Sequence, residues 1–159
     1  MSQRPDWDDY FLKVSDVVAE RATCDRGRAG CVIANNKRIL TTGYVGAPAG
    51  LPHCDDVGHH MKEVKHGSGD KSKHCVRTTH AEQNAIVQAS RSGVSIQGAT
   101  LYCKMTPCHD CAKMIVNAGI ERVVCRKDYH AADDTKEIFD QAGVDLEIRN
   151  REVEQYNEQ

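Results

Sequence analysis

The stretch Thr78-Thr79-His80-Ala81-Glu82-Gln83-Asn84-Ala85-Ile86, then Ala99-Thr100-Leu101-Tyr102-Cys103, then Pro107-Cys108-His109-Asp110-Cys111, decides the fold. Ala81 to Ser90 is rich in helix formers and predicts a helix opened by His80. Ala99 to Cys103 predicts a strand, and Cys108 to Ala118 a second helix closed by Gly119. Pro107 suits that helix start, because its missing N–H would be unpaired there anyway.

Working downstream, Arg122 to Cys125 predicts a short strand and Asp133 to Ala142 a helix closed by Gly143. Val144 to Ile148 predicts a last strand, and the polar tail from Asn150 is expected to fray. Upstream, Gly30 to Ala34 reads as a buried strand, Asn35-Asn36-Lys37 as a turn, and Arg38 to Tyr44 as the return strand. The chain opens with a helix that Asp6 caps, with Asp8 and Asp9 at the positive end of its dipole. Tyr10, Phe11, Val14, Val17 and Val18 recur at helical spacing and predict its apolar face. Residues 46–77 hold Gly, Pro, Asp, Lys and most of the His, with little apolar periodicity. They predict a long loop, functional or pinned by something. The order α, β-hairpin, loop, α, β, α, β, α, β predicts an α/β fold: a mixed sheet of about five strands with helices on its faces.

At 159 residues the chain is expected to be one domain, 1–159, without internal repeats or linkers. A formal charge of −2, 5% aromatic residues and the lack of a long Lys/Arg block disfavour binding to long nucleic acid. No apolar run is long enough to span a membrane and no N-terminal signal pattern appears, so a cytoplasmic location is expected. Eight Cys interleaved with eight His, without a signal, point to metal binding in a reducing compartment and away from disulfides.

His80, Cys108 and Cys111 are three good zinc ligands. The two thiols are three residues apart on one helical turn, where the dipole and unpaired N–H groups favour thiolates. Three protein ligands leave a fourth tetrahedral position open, as in a catalytic zinc site; a closed structural site with a fourth ligand is the alternative. Glu82 lies two residues from the ligand His80 and suits proton transfer to and from a metal-activated water. Together, H-x-E and P-C-x-x-C are similar to the signature of zinc nucleobase deaminases, whose acidic residue is not a zinc ligand.

A more specific resemblance covers residues 4 to 148. Arg4-Pro5-Asp6-Trp7-Asp8-Asp9-Tyr10-Phe11, Thr23-Cys24-Asp25-Arg26, Gly43-Tyr44-Val45-Gly46-Ala47-Pro48 and Leu51-Pro52-His53-Cys54 carry it. So do His80 to Ile86, Gly98-Ala99-Thr100-Leu101-Tyr102 and Lys113 to Ile120. These stretches resemble the deoxycytidylate (dCMP) deaminase family. The resemblance implies a three-layer cytidine-deaminase-like fold and zinc-dependent conversion of dCMP to dUMP and ammonia, which feeds thymidylate synthesis. It also implies a homo-oligomer, commonly a hexamer, with dCTP and dTTP as effectors and Mg2+ beside a regulatory triphosphate. Arg26 matches a family position near the substrate phosphate, and Arg28 is close by in sequence. Tyr129-His130 resembles a pair that closes over the sugar and phosphate. One departure is Val45, where the family often has an Asn that helps to hold the sugar. Either sugar recognition moves elsewhere, substrate choice or regulation differs, or Val45 is a strand residue packed inward.

Cys24, His53, Cys54, His59, His60, His66, His74 and Cys75 crowd in or around the long loop. A metal would order a segment that lacks apolar residues, and some family members carry a structural zinc there. The expected ligands of this second zinc are Cys24, Cys54, His59 and Cys75, with His74 or His53 as substitutes. Cys31, Cys103 and Cys125 lie in strand-like runs and are expected in the core. The rival substrates are dCTP, another cytosine nucleotide or nucleoside, a base in tRNA or single-stranded DNA, and a riboflavin or pterin-like precursor. From a different class, a non-catalytic nucleotide sensor would keep the fold without needing Glu82.

Overall fold

The computed structural model describes residues 3–65 and 67–154, the last four through their backbone alone. His66 lies outside the described residues.

Helix α1 (Trp7–Ala19) is followed by the hairpin β1 (Gly30–Asn35) and β2 (Arg38–Tyr44). A short helix α2 (Cys54–Val57) and a second hairpin, β3 (Met61–Lys65) and β4 (Lys71–Cys75), come next. The chain ends with α3 (Ala81–Ser92), β5 (Thr100–Met105), α4 (His109–Asn117), β6 (Arg122–Tyr129), α5 (Asp133–Ala142) and β7 (Asp145–Glu154). The main sheet has the order β2-β1-β5-β6-β7. β1 is antiparallel to both β2 and β5, whereas β5, β6 and β7 run parallel, so the sheet is mixed as expected.

Strand alternation divides the core. Cys31, Ile33, Leu101, Cys103, Val123 and Cys125 face Ala81, Ala85 and Ala89 of α3, Cys111, Ala112 and Ile115 of α4, and Phe139 of α5. Val32, Ala34, Tyr102 and Val124 face Phe11 and Leu12 of α1 on the other side. Consecutive residues of β1, β5 and β6 are therefore buried, as in a sheet covered on both faces. Each large side chain buried this way contributes roughly 1.5–3 kcal/mol.

Three sequence expectations are corrected. The buried face of α1 is Phe11, Leu12 and Ser15, with Val14 and Val18 packed beside it; Tyr10 and Val17 are exposed. Ser15 escapes an apolar reading, yet it is buried because its hydroxyl donates to the Leu12 carbonyl at 2.6 Å. Residues 46–77 are not a bare loop, since they contain α2 and the β3–β4 hairpin. That ladder joins polar residues, Lys62 to His74 and Glu63 to Lys73, and leaves no apolar period to read. Nor does structure stop at Ile148: β7 runs on to Glu154 beside β6, because a parallel ladder is made by the backbone.

Two glycines set the packing distances. A Cβ at Gly43 would lie 2.3 Å from the Ala81 carbonyl oxygen and 2.3 Å from the Ala85 nitrogen, so only glycine lets α3 lie this close on β2. Gly30 does the same for α1, with the Ser15 carbonyl oxygen 2.3 Å from its virtual Cβ. The chain ends are clasped by charge. Arg122 reaches Asp8 at 2.9 Å and also pairs with Glu147, and Arg149 reaches Asp8 at 3.0 Å. Tyr102 donates its hydroxyl to Asp8 at 2.9 Å.

Candidate active site

The first helix of the site is positioned through its entry. Thr79 exchanges backbone hydrogen bonds with Gly46, and Asn84 donates to the Tyr44 carbonyl at 2.7 Å. His80 is the N-cap of α3, and its backbone N–H donates to Gln83 Oε1 at 3.1 Å. The second helix is positioned at its N-cap, Cys108, while buried Thr135 of α5 donates to the Pro107 carbonyl at 2.8 Å. Two helix N-termini therefore meet at the C-terminal ends of the parallel strands, where open α/β sheets bind ligands.

There, His80 Nδ1 lies 3.4 Å from Cys108 Sγ and 3.4 Å from Cys111 Sγ. Two donors on one tetrahedral zinc are about 3.5 Å apart, and both imidazole–sulfur separations match that spacing. Cys111 is buried and Cys108 half-buried. Hydrogen bonding from Cys111, then the His80 imidazole, holds the Cys108 thiol down to about 4. The Cys108 partner in turn raises His80 to about 9. The bond to Cys108, together with burial, pushes Cys111 up. Such a site wants one cation to hold both thiolates. Glu82 Oε2 is 3.7 Å from Cys111 Sγ, and burial pushes its carboxyl up.

A cavity of about 190 Å³ opens over these groups. His80, Glu82 and Cys108 form part of its lining, and Arg26, Lys73, Lys104 and Tyr129 bring cations and an aromatic ring to it. The cluster, the carboxyl and the cations share one space. That space suits an anionic substrate whose reacting carbon needs water and a proton carrier.

The sequence profile described as "Cytidine and deoxycytidylate deaminase zinc-binding region" matches residues 5–127. The chain belongs to the cytidine and deoxycytidylate deaminase family. Within it, "ComE operon protein 2" of Bacillus subtilis is 41% identical over 145 residues, 91% of this chain and 72% of the relative. "Deoxycytidylate deaminase" of Mycobacterium phage D29 is 39% identical over 127 residues, 79% of this chain and 98% of the relative. The crystal structure of dCMP deaminase from cyanophage S-TIM5 in complex with dCMP and dUMP superposes with a TM-score of 0.72. The identity there is 28%, with 92% of this chain and 99% of that one covered.

Of the expected substrate residues in this deaminase-family chain, Arg26 and Tyr129 line the cavity. Arg28 does not. Its guanidinium donates to the Ala22 carbonyl and pairs with Asp55 at 3.4 Å, so it closes the turn around residues 22–28 in place of holding a phosphate. His130 is exposed and reaches the cavity only through its edge contact with Tyr129, centroids 4.6 Å apart. Val45 both packs on the core and lines the cavity, presenting apolar surface to it. Lys73, Lys104 and Thr106 also line it, with no sequence signal pointing to them, and so does His74, which the sequence offered only as a substitute zinc ligand. Lys73 and His74 sit in the span read as loop; Lys104 and Thr106 follow a strand end whose direction one sequence does not reveal.

The family chain has a second donor cluster. Ligand atoms of Cys24, Cys54, His59 and Cys75 all lie within 4.8 Å of one another. Cys24 Sγ is 3.5 Å from His59 Nδ1, and the Cys54 and Cys75 sulfurs are 3.5 Å apart. Asp25 Oδ1 lies 3.1 Å from His59 Nε2, on the far side of the ring from Cys24, where carboxylates stand beside metal-bound His. Burial raises Cys54 to about 12. Burial opposes the Cys75 thiolate too, but backbone N–H groups of Arg77 and His60 outweigh it and bring that thiol down to about 7. Among the described residues, His53 and His74 stay outside this cluster; His74 bonds Ser72 Oγ at 2.6 Å and faces the cavity. Cys31, Cys103 and Cys125 are fully or almost fully buried in the core, and burial raises the thiols of all three.

Proposed function

We propose that this protein deaminates dCMP to dUMP and ammonia, with Glu82 as proton carrier and zinc held by His80, Cys108 and Cys111. The observation that carries the reading is the Glu82 carboxyl beside three zinc-fitting donors in a cavity that also holds Arg26, Lys73 and Lys104. When bound, zinc supplies the Lewis acidity that brings a water molecule towards ionisation at neutral pH. Glu82 takes a proton from the attacking water and delivers it to ring nitrogen N3 as C4 becomes tetrahedral. It then takes the hydroxyl proton from the tetrahedral C4 and passes it to the amino group, so that the C4–N bond breaks, ammonia leaves and the C4 carbonyl forms. A carboxyl raised by burial is suited to holding each proton between its uptake and its delivery. Arg26 and Lys73 bind the 5′-phosphate by charge-assisted hydrogen bonds, and Tyr129 closes on the sugar.

The second cluster holds a structural zinc through Cys24, Cys54, His59 and Cys75; four donors with an oriented imidazole support a closed site. It pins the β3–β4 hairpin to the turn that carries Arg26. We read the chain as one catalytic domain acting in the cytoplasm; no described helix is long and apolar enough to cross a membrane. Exposed Ile39 and Tyr44 of β2 and Val87 of α3 support a homo-oligomer. The family resemblance adds the hexamer and dCTP and dTTP effectors with Mg2+.

Ammonia release from dCMP, dCTP, deoxycytidine and CMP by the zinc-loaded protein tests the reading. Fast turnover of dCMP above the others is expected. Equal or faster turnover of dCTP or deoxycytidine overturns the substrate and keeps the reaction, and no release from any of them overturns both.

A further inference from the structure

The cavity wall contributed by β5 and β6 is closed by a polar clasp that uses no member of either donor cluster. Buried Thr106, just past β5, donates its hydroxyl to Asp128 Oδ1 at 2.9 Å. The backbone N–H of Tyr129 donates to the same oxygen at 2.9 Å, and Lys136 of α5 donates to Oδ2 at 2.7 Å. The Thr106 N–H donates to the Lys127 carbonyl at 3.1 Å. The Asp128 side chain is 18% exposed, and the β6–β7 register shifts between Lys127 and Asp128. One carboxylate thus ties Tyr129 to the turn Met105-Thr106-Pro107 that runs into the ligand Cys108. Thr106 and Tyr129 both line the cavity; Asp128 does not.

We propose that Asp128 is a positioning residue for nucleotide binding, holding Tyr129 and Thr106 as one wall at the distance the substrate needs. The role rests on the deamination reading. Acceptor geometry at Oδ1 is what matters in it, and the ion pair with Lys136 is secondary, because both wall contacts converge on that oxygen. Without the acceptor, Tyr129 samples other positions and the binding step carries the cost of ordering it. Chemistry on substrate already bound is left nearly intact, since Glu82 and the three donors are held by α3 and α4.

The test compares D128A, D128N and T106V with the unaltered chain in full kinetics, zinc content and amide exchange at Tyr129. For D128A the expected result is KM for dCMP raised about tenfold or more with kcat within about threefold. Zinc content should be unchanged and Tyr129 exchange at least about tenfold faster. D128N keeps an acceptor oxygen and is expected to restore KM to within about threefold. T106V removes one leg of the clasp and is expected to fall between, which keeps the proposal testable if D128A does not fold. An unchanged KM in T106V and D128A overturns it. So does a KM rise in D128N as large as in D128A, or kcat and zinc falling together with the rise in KM. If the unaltered chain turns over no cytosine nucleotide, the reaction reading fails instead. Tyr129 exchange then judges the clasp alone, and unchanged exchange in D128A overturns it.

Discussion

The two donor clusters use the same chemistry in different settings. His80, Cys108 and Cys111 stand at the N-termini of two helices whose other faces are core, with Ala81, Ala85 and Ile115 almost fully buried beneath them. Cys24 and His59 stand in irregular segments, Cys54 opens the four-residue helix α2, and Cys75 ends a hairpin of mostly exposed residues. The first has three donors and a carboxyl; the second has four donors and a carboxylate turned to its imidazole. The packed core orders the first without an ion, and on the proposed reading zinc there is a reagent. In the second, the proposed ion would itself supply the order.

Glu82→Gln breaks the comparison hardest. Removing the proton carrier should lower kcat by about 10²–10⁴-fold while zinc at both clusters stays put. Ammonia release with metal analysis reads both. A fully active variant would take the proton-carrier role away from Glu82. Cys54→Ser acts on the other side. It should remove one of two zincs, lower the melting temperature and speed proteolysis between residues 58 and 75, with a milder loss of turnover through a loosened Arg26. If it abolished turnover with the first zinc retained, the division between reagent and structural ion would fail.

Acid sharpens the contrast, because it strips metal from thiolates and also weakens the clasp at Asp8. The Arg122 hydrogen bond, outweighing burial, lowers the Asp8 carboxyl below its ordinary value. The stability this lends is fully present above the unfolded carboxylate value near pH 4 and is lost as pH falls through the lower folded value. Asp8→Asn should therefore cost about 1–2 kcal/mol at pH 7 and show a shallower loss of stability below about pH 5. Zinc content should match the unaltered chain. Thermal melts between pH 7 and 3 check the slope, and an equal slope in both proteins would remove Asp8 from the account.

Much of this was legible before any coordinates. Every element of the main sheet was signalled locally, by Pro107 and His80 at helix starts, Gly119 and Gly143 at helix ends, and alternation or full burial along the strands. Both donor sets that the structure brings together were legible too, because their thiols and imidazoles recur in short spans of sequence. What escaped was non-local. The β3–β4 hairpin has no apolar period, since its side chains are mostly in water. Arg28 looks like Arg26 until the Ala22 carbonyl and Asp55 are seen to claim it. Lys73 and Lys104 lie 31 residues apart in number and share a cavity only through the fold.

The clasp between Asp8 and the distant Arg122 and Arg149 has a consequence for how the protein is made. Asp8 emerges from the ribosome long before Arg122 and Arg149, its partners in the folded state. At roughly 5–20 residues per second, α1 waits on the order of ten seconds for them. Throughout that time its face of Phe11 and Leu12 has no completed sheet to cover it. Helix α1 is thus secured only after Arg122 and Arg149 have emerged, and a nascent chain stalled before Arg122 would leave an apolar helix for chaperones to hold.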